Sequence, residues 1–311
     1  MAIAFLFPGQ GSQYVGMGKA LFEHFDAARA TYAEADRALG WEISRLSFEG
    51  PEERLNQTEY TQPALLVASI AAWRTLGAPI DKGALVAGHS LGEYTALVAA
   101  GALPFTEAVR LVQQRGRFMQ EAVPQGQGGM AAIVGLDRKT IGEICEQASS
   151  GSGRVTAANY NAPDQIVIAG EAGAVQRGAT LAQARGAKRV VPLAVSVPSH
   201  SPMMGEACRR LAAELEKIGG EDLKIPLINN LQAKRITTWQ EAKAGLIDQL
   251  SSPLLWEETI GQMRDSGIDL FIEVGPGRVL SGLLKRIDRK LATMNAEDAA
   301  GVEKVKAALE K

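Results

Sequence analysis

The chain has 311 residues, enough for one large domain or two at ~150 residues each, and at this size about three quarters of the unfolded surface can be buried without staples. Thirty-three Lys and Arg against 35 Asp and Glu leave a formal charge of −2, which excludes a broadly basic nucleic-acid face. An apolar fraction of 46% with 22% charged residues is ordinary for a soluble globular protein, and 33 glycines point to many strand–helix turns.

In chain order, Ile3 to Phe7 reads as a buried first strand, not a signal peptide, because no basic segment precedes it. Gly9-Gln10-Gly11-Ser12 is a tight loop at its carboxyl end, and amphipathic helices follow to about residue 75. Ala84 to Ala87 is a second short buried strand, followed by a helix over Leu91 to Ala100 that Gly101 ends. Thr106 to Val123 is a further helix. Composition changes near Pro124, where Pro-Gln-Gly-Gln-Gly-Gly reads as a linker.

Beyond it the order is strand (Met130 to Val134), helix (Lys139 to Ala148), strand (Val155 to Ala158), a turn at Asn161-Ala162-Pro163, and strand (Gln165 to Ala169). A helix (Glu171 to Ala184) and a strand (Lys188 to Val195) complete it. This βαββαβ order is ferredoxin-like and is inserted between two halves of a larger α/β domain. The expected division is 1–125 with 198–311, and 126–197. Helix–strand alternation then resumes, ending with a strand at Leu270 to Val274, a Gly275-Pro276-Gly277 turn and a final helix pair. The longest apolar stretch is far short of the ~20 residues that span a bilayer. Neither Cys145 nor Cys208 has a second Cys or a His at metal-ligand spacing, so no disulfide framework and no metal is expected, and a reducing cytoplasm is the simplest location.

Gly88-His89-Ser90-Leu91-Gly92 is a G-x-S-x-G pentapeptide with a buried strand before it and a helix after it, the context a nucleophile elbow requires. The helix starting at Leu91 aims free N–H groups and its positive dipole end at the same point, where an oxyanion would be stabilised. The sequence offers three histidines as base. His24 sits on an amphipathic helix, and His89 adjoins Ser90, so its ring leaves the turn in another direction. His200 lies in Ser196-Val197-Pro198-Ser199-His200-Ser201-Pro202, with Ser201 at an N-cap and Pro202 at the first helical position, which leaves His200 on a turn facing a cleft. Its orienting group stays open between the carboxylates Asp164, Asp248 and Glu273 and a terminal carbonyl of the helix that starts at Trp239, such as that of Gln249.

Arg115 falls within about 60° of Ala108, Leu111, Val112, Phe118, Met119 and Ala122 on a helical projection, so it projects from the buried stripe. An unpaired charge there is expensive, and something anionic should meet it: a structural salt bridge, or a substrate carboxylate gripped by the planar fork. The loop Pro8 to Gln13 fits neither a Walker A nor a Rossmann fingerprint.

Six motifs occur in the order that resembles the malonyl-CoA:acyl carrier protein transacylase family. They are Pro8-Gly9-Gln10-Gly11-Ser12-Gln13, Gly88-His89-Ser90-Leu91-Gly92-Glu93, Gln114-Arg115-Gly116, Asn159-Tyr160-Asn161-Ala162-Pro163, Pro198-Ser199-His200-Ser201 and Glu273-Val274-Gly275-Pro276-Gly277. The resemblance implies an α/β fold, an α/β-hydrolase-like large subdomain with an inserted ferredoxin-like small one. It implies ping-pong transfer of malonyl from malonyl-CoA to Ser90, activated by His200, and then to the phosphopantetheine thiol of acyl carrier protein. It further implies an oxyanion on the backbone N–H groups of Gln10 and Leu91, the malonyl carboxylate on Arg115 and the His-orienting carbonyl at Gln249. Asn159 and Met119 are implied as lesser pocket positions. No cofactor, nucleic acid or membrane partner is expected, and a monomer is. The competing readings are a serine esterase or thioesterase using the same Ser-His pair, which gives Arg115 no task, and a non-catalytic carrier-binding subunit.

Overall fold

The computed structural model describes residues 2–77, 84–149, 153–193 and 197–310. Among the described residues, ten strands form two sheets. The larger sheet has the order β10-β9-β1-β2-β7-β8, with β1 (Ile3–Phe7), β2 (Leu85–Gly88), β7 (Leu227–Ile228), β8 (Arg235–Ile236), β9 (Leu270–Val274) and β10 (Ala292–Ala296). All its pairs are parallel except β7 with β8. The smaller sheet has the order β4-β5-β3-β6, with β3 (Gly128–Val134), β4 (Val155–Ala162), β5 (Gln165–Glu171) and β6 (Arg189–Pro192), and is antiparallel throughout.

The parallel sheet explains the short, wholly apolar first strand. Side chains alternate across a strand, so Phe5 and Phe7 join the core beneath the helices Thr58–Leu76 and Phe105–Ala122. Ala4 and Leu6 join Trp256, Ile260 and Leu284 on the opposite face. With both faces covered, no polar alternation is left to read. The small sheet likewise has a core face, where Ile133, Ile166 and Ile168 pack on the helices Arg138–Ala148 and Ala172–Ala184. Its other face carries Met130, Ala132 and Val167.

Three expectations need correction. The turn placed at Asn161-Ala162-Pro163 is still strand through Ala162: β4 continues because irregularities at Ala157/Asn159 and Tyr160/Ala162 absorb extra residues, and Ala162 pairs with Gln165. The final helix pair, Val279–Ile287 and Ala299–Leu309, encloses β10, an edge strand whose Asn295 and half-buried Met294 lack a continuous apolar signature. The last strand of the insert, β6, is shorter than expected, and Ala194, Val195 and Ser196 lie outside the described residues. Among the described residues no helix is long and apolar enough to cross a membrane.

The chain leaves β1 for β2 on one side and later lays β9 and β10 on the other. Open parallel sheets bind ligands beyond their strands' carboxyl ends near such a reversal. There, a cavity of about 440 Å³ opens between the ends of β1 and β2 and the free face of the small sheet.

Candidate active site

Ser90 caps the helix Leu91–Ala99 with φ 52° and ψ −104°, a backbone conformation that a side chain rarely adopts. Its neighbours explain how the turn is held. A Cβ on Gly88 would collide with the Gly92 backbone, and one on Gly92 would collide with the Phe7 carbonyl, so both glycines are needed for strand and helix to meet this closely. Gly9 sits equally close to the His89 carbonyl, and this brings the Pro8–Gln13 loop against the elbow. The Ser90 N–H donates to Asn230 Oδ1 at 2.8 Å.

His200 is also at positive φ (59°) and is 2% exposed, on the turn before the short 3₁₀ helix Pro202–Met204. Its Nε2 lies 2.8 Å from Ser90 Oγ and its Nδ1 lies 2.8 Å from the Gln249 carbonyl oxygen. Of the groups left open as its orienter, the Gln249 carbonyl is the one within hydrogen-bond distance of Nδ1. Helix Trp239–Gln249 ends at that carbonyl, while the three carboxylates are elsewhere. Asp164 is half-buried and pairs with Arg286, Asp248 is exposed, and Glu273 is buried where it accepts the Leu280 and Ser281 N–H groups. With Nδ1–H donating to a carbonyl, Nε2 is the free acceptor for the serine proton. Burial, with the nearby Arg115 charge, pushes the His200 pKa down to about 3, so the ring is neutral at physiological pH and ready to accept a proton.

Arg115 is fully buried, and its helix lies so close to helix Thr58–Leu76 because Gly116 meets the Thr58 carbonyl where a Cβ would sit 2.5 Å away. Its Nη1 donates to Gln62 Oε1 at 2.8 Å, and its Nη2 to Ser90 Oγ at 3.2 Å and Gln249 Oε1 at 3.3 Å. The guanidinium also lies 5.2 Å from the Tyr94 ring centroid, and Nε has no hydrogen-bond partner among the described residues. Among the described residues no carboxylate makes an ion pair with it. Neutral amide oxygens hold the fork without cancelling its charge, so the cation is left to meet an anion beside the Ser90 hydroxyl.

Gln10 lines the cavity at the end of β1, and its side chain links Thr58 (3.3 Å) and Gln62 (3.3 Å). Leu91 is the first residue of the elbow helix, a position whose N–H has no partner within the helix, and its side chain is buried in the core. Asn159 lines the cavity on β4 and is tied to the larger subdomain through a bridge with Leu254. Met119 is not on the cavity wall. It is buried behind Gln62, whose Nε2 donates to its Sδ at 3.2 Å. His89 points away from Ser90, as expected, though its partner is distant in sequence: Nε2 meets Asn161 Oδ1 at 2.8 Å and the ring packs against Trp256. His24 caps nothing here and bonds the Ala20 carbonyl on an exposed helix.

Gln62, Glu93, Asn230 and the Gln249 side chain were not singled out from sequence. Gln62 and Glu93 each sit in an apolar helical run, and that placement is the available signal.

The arrangement suits acyl transfer. The Ser90 proton has an acceptor, the hydroxyl stands at a helix N-terminus, and a cation lies within reach of a second charge on the acyl group. Comparison with known proteins agrees with this chemistry. Residues 4–307 match the acyl transferase domain family. The malonyl CoA-acyl carrier protein transacylase of Salmonella typhimurium is 48% identical over 299 residues, 96% of either chain. The structure of the malonyl CoA-acyl carrier protein transacylase from Coxiella burnetii superposes with a TM-score of 0.97 at 44% identity, over 100% of this chain and 98% of that one. A malonyl-transacylase in complex with a type II PKS acyl-carrier protein does so with a TM-score of 0.96 at 44% identity, over 99% and 100%. A part-buried serine–histidine contact, an arginine beside it that no carboxylate pairs among the described residues, and this degree of likeness lead to one assignment: the chain belongs to the acyl transferase domain family, in the group of malonyl CoA-acyl carrier protein transacylases.

Proposed function

We propose that the protein transfers malonyl from malonyl-CoA to the phosphopantetheine thiol of acyl carrier protein, in fatty acid or polyketide synthesis in the cytoplasm. The observation that carries this reading is Arg115 Nη2 at 3.2 Å from Ser90 Oγ with no carboxylate paired to it among the described residues. An esterase acting on uncharged acyl groups has no use for that cation, and a non-catalytic carrier-binding subunit has no use for a 2.8 Å Ser90–His200 contact.

In this reading Ser90 Oγ attacks the thioester carbonyl while its proton passes to His200 Nε2. The oxyanion is received by the Gln10 and Leu91 N–H groups, and the Gln249 carbonyl holds the imidazolium by its Nδ1–H. Collapse expels the CoA sulfur, which takes the proton from Nε2 and leaves malonyl esterified to Ser90. The carrier thiol then gives its proton to Nε2 and attacks the ester, and Ser90 recovers its proton as malonyl-carrier departs. Arg115 holds the malonyl carboxylate throughout, and Asn159 lines the channel. The apolar face of Met130, Ala132 and Val167 flanks the substrate arm. The larger unit comprises 1–125 and 198–311 and the smaller 126–197.

The test is transfer from malonyl-CoA to a carrier protein in its holo and apo forms. Malonyl-carrier should form only with the holo protein and only when Ser90 is present. Folded enzyme that leaves the holo carrier unmodified contradicts the reading.

A further inference from the structure

Arg115 is steered by two amide oxygens, and an amide can present either its oxygen or its NH₂. Which end of Gln249 faces the guanidinium is decided by what its other end meets. Its Nε2 donates to Glu93 Oε2 at 3.0 Å, with Asn230 Oδ1 and the Ser90 carbonyl at 3.5 Å. The same Glu93 oxygen accepts the Asn230 N–H at 2.8 Å, and Asn230 Oδ1 accepts the Ser90 N–H. Glu93 therefore lies beneath both the clamp and the turn, without touching the cavity.

We infer that Glu93 is a positioning residue for acyl-group selection: by accepting the Gln249 amide, it turns the Gln249 oxygen toward Arg115 and keeps the guanidinium aimed at the acyl group on Ser90. Reversal of that amide would set NH₂ against a guanidinium, donor against donor, and release the fork from one of its two amide holds. Packing alone does not explain an acid at this position. Glu93 is 1% exposed on a helix whose other buried side chains include Leu91, Thr95, Ala96 and Leu97, and desolvation raises its pKa to about 7 against the pull of Arg115. Direct pairing of Glu93 with Arg115 would neutralise the clamp. The interposed Gln249 relays orientation and leaves the cation unpaired.

The inference rests on Arg115 binding the substrate carboxylate, so Arg115→Met is measured alongside it. The readout is kcat/KM for acylation of Ser90 by malonyl-CoA and by acetyl-CoA. Glu93→Met, which keeps bulk and removes the acceptor, should lower the malonyl-to-acetyl ratio about tenfold, the worth of one hydrogen bond to a charged group. Glu93→Gln can place its oxygen where Oε2 lies and should restore the ratio to within about threefold of the parent. A purely structural role lowers both substrates together and leaves the ratio fixed. That result, or a Glu93→Gln variant that falls as far as Glu93→Met, overturns the inference. If Glu93→Met does not melt cooperatively, Glu93→Asp, which withdraws the acceptor by one methylene, is read the same way: a lowered ratio supports the inference and an unchanged ratio overturns it. A ratio shifted by Arg115→Met but by none of the acceptor-removing Glu93 variants rejects the role of Glu93 alone. A ratio unmoved by Arg115→Met rejects the clamp itself, and the inference with it.

Discussion

Replacing Arg115 by methionine removes a charge while keeping much of the buried volume. The guanidinium is fully buried and held by Gln62 Oε1, Gln249 Oε1 and Ser90 Oγ. In the variant, the malonyl carboxylate enters a pocket that strips its water and returns no cation. Breaking a buried charge pair from one side costs about 3–5 kcal/mol, and each 1.4 kcal/mol is tenfold. The expected loss in kcat/KM for malonyl-CoA is therefore roughly 10²- to 4 × 10³-fold. Acetyl-CoA has a methyl group where the carboxylate would be, so its acylation should hold or rise once the unpaired cation beneath it is gone. Arg115→Lys keeps the charge and loses the fork, and should fall between the parent and Arg115→Met. The assay is rapid mixing with each thioester, acid quench and intact-mass measurement of the acyl-enzyme, with a melting curve to establish folding. A folded Arg115→Met enzyme whose malonyl-to-acetyl ratio stays close to that of the parent refutes the reasoning.

Three further outcomes are expected. Because burial keeps His200 neutral down to about pH 3, the reaction of Ser90 with an uncharged serine-directed reagent should stay flat as pH falls from 7 to 5. An acid limb centred near 6.5, the ordinary histidine value, contradicts this. The same shift makes a stability statement: a depressed histidine pKa contributes fully above about 6.5 and is lost as pH falls toward the folded value. The melting temperature of a His200→Asn variant should therefore drop less than that of the parent between pH 6.5 and 4, and an equal or larger drop tells against a neutral buried imidazole. Gly92→Ala sets a Cβ against the Phe7 carbonyl, a backbone atom that cannot swing aside. It should cost about 1–3 kcal/mol of stability and remove Ser90 reactivity, and an unaltered melting curve would show that the elbow is looser than described.

The site was legible in the sequence where local chemistry forces the conformation. Gly88 and Gly92 flank a serine that must take positive φ, and Pro202 fixes the start of a short helix just after His200. Arg115 was legible because helical periodicity set it among apolar residues, and the structure buries it as that pattern requires. What stayed hidden depends on contacts between residues far apart in the chain. Nothing near Glu93 announces Asn230 or Gln249, and nothing near Gln62 announces Arg115, although each is a polar residue in an apolar helix. Met119 shows the limit of periodicity: it shares the buried stripe with Arg115, yet its sulfur meets Gln62 behind the clamp. The fold was read in the same uneven way. The β1 and β2 segments are continuous apolar runs and β9 is apolar but for the buried Glu273, whereas β10 is an edge strand with mixed exposure and was passed over. The hairpin at Pro163 was misplaced because bulges carry β4 past the residues that resemble a turn.

The account turns most directly on a single covalent bond between malonyl and Ser90. Protein mixed with malonyl-CoA, with no carrier present, should gain one malonyl group by intact mass, and peptide mapping should place it on the segment holding Gly88-His89-Ser90-Leu91-Gly92. Holo carrier protein added afterwards should remove it. A correctly folded protein that acquires no adduct, or acquires one elsewhere in the chain, contradicts the account.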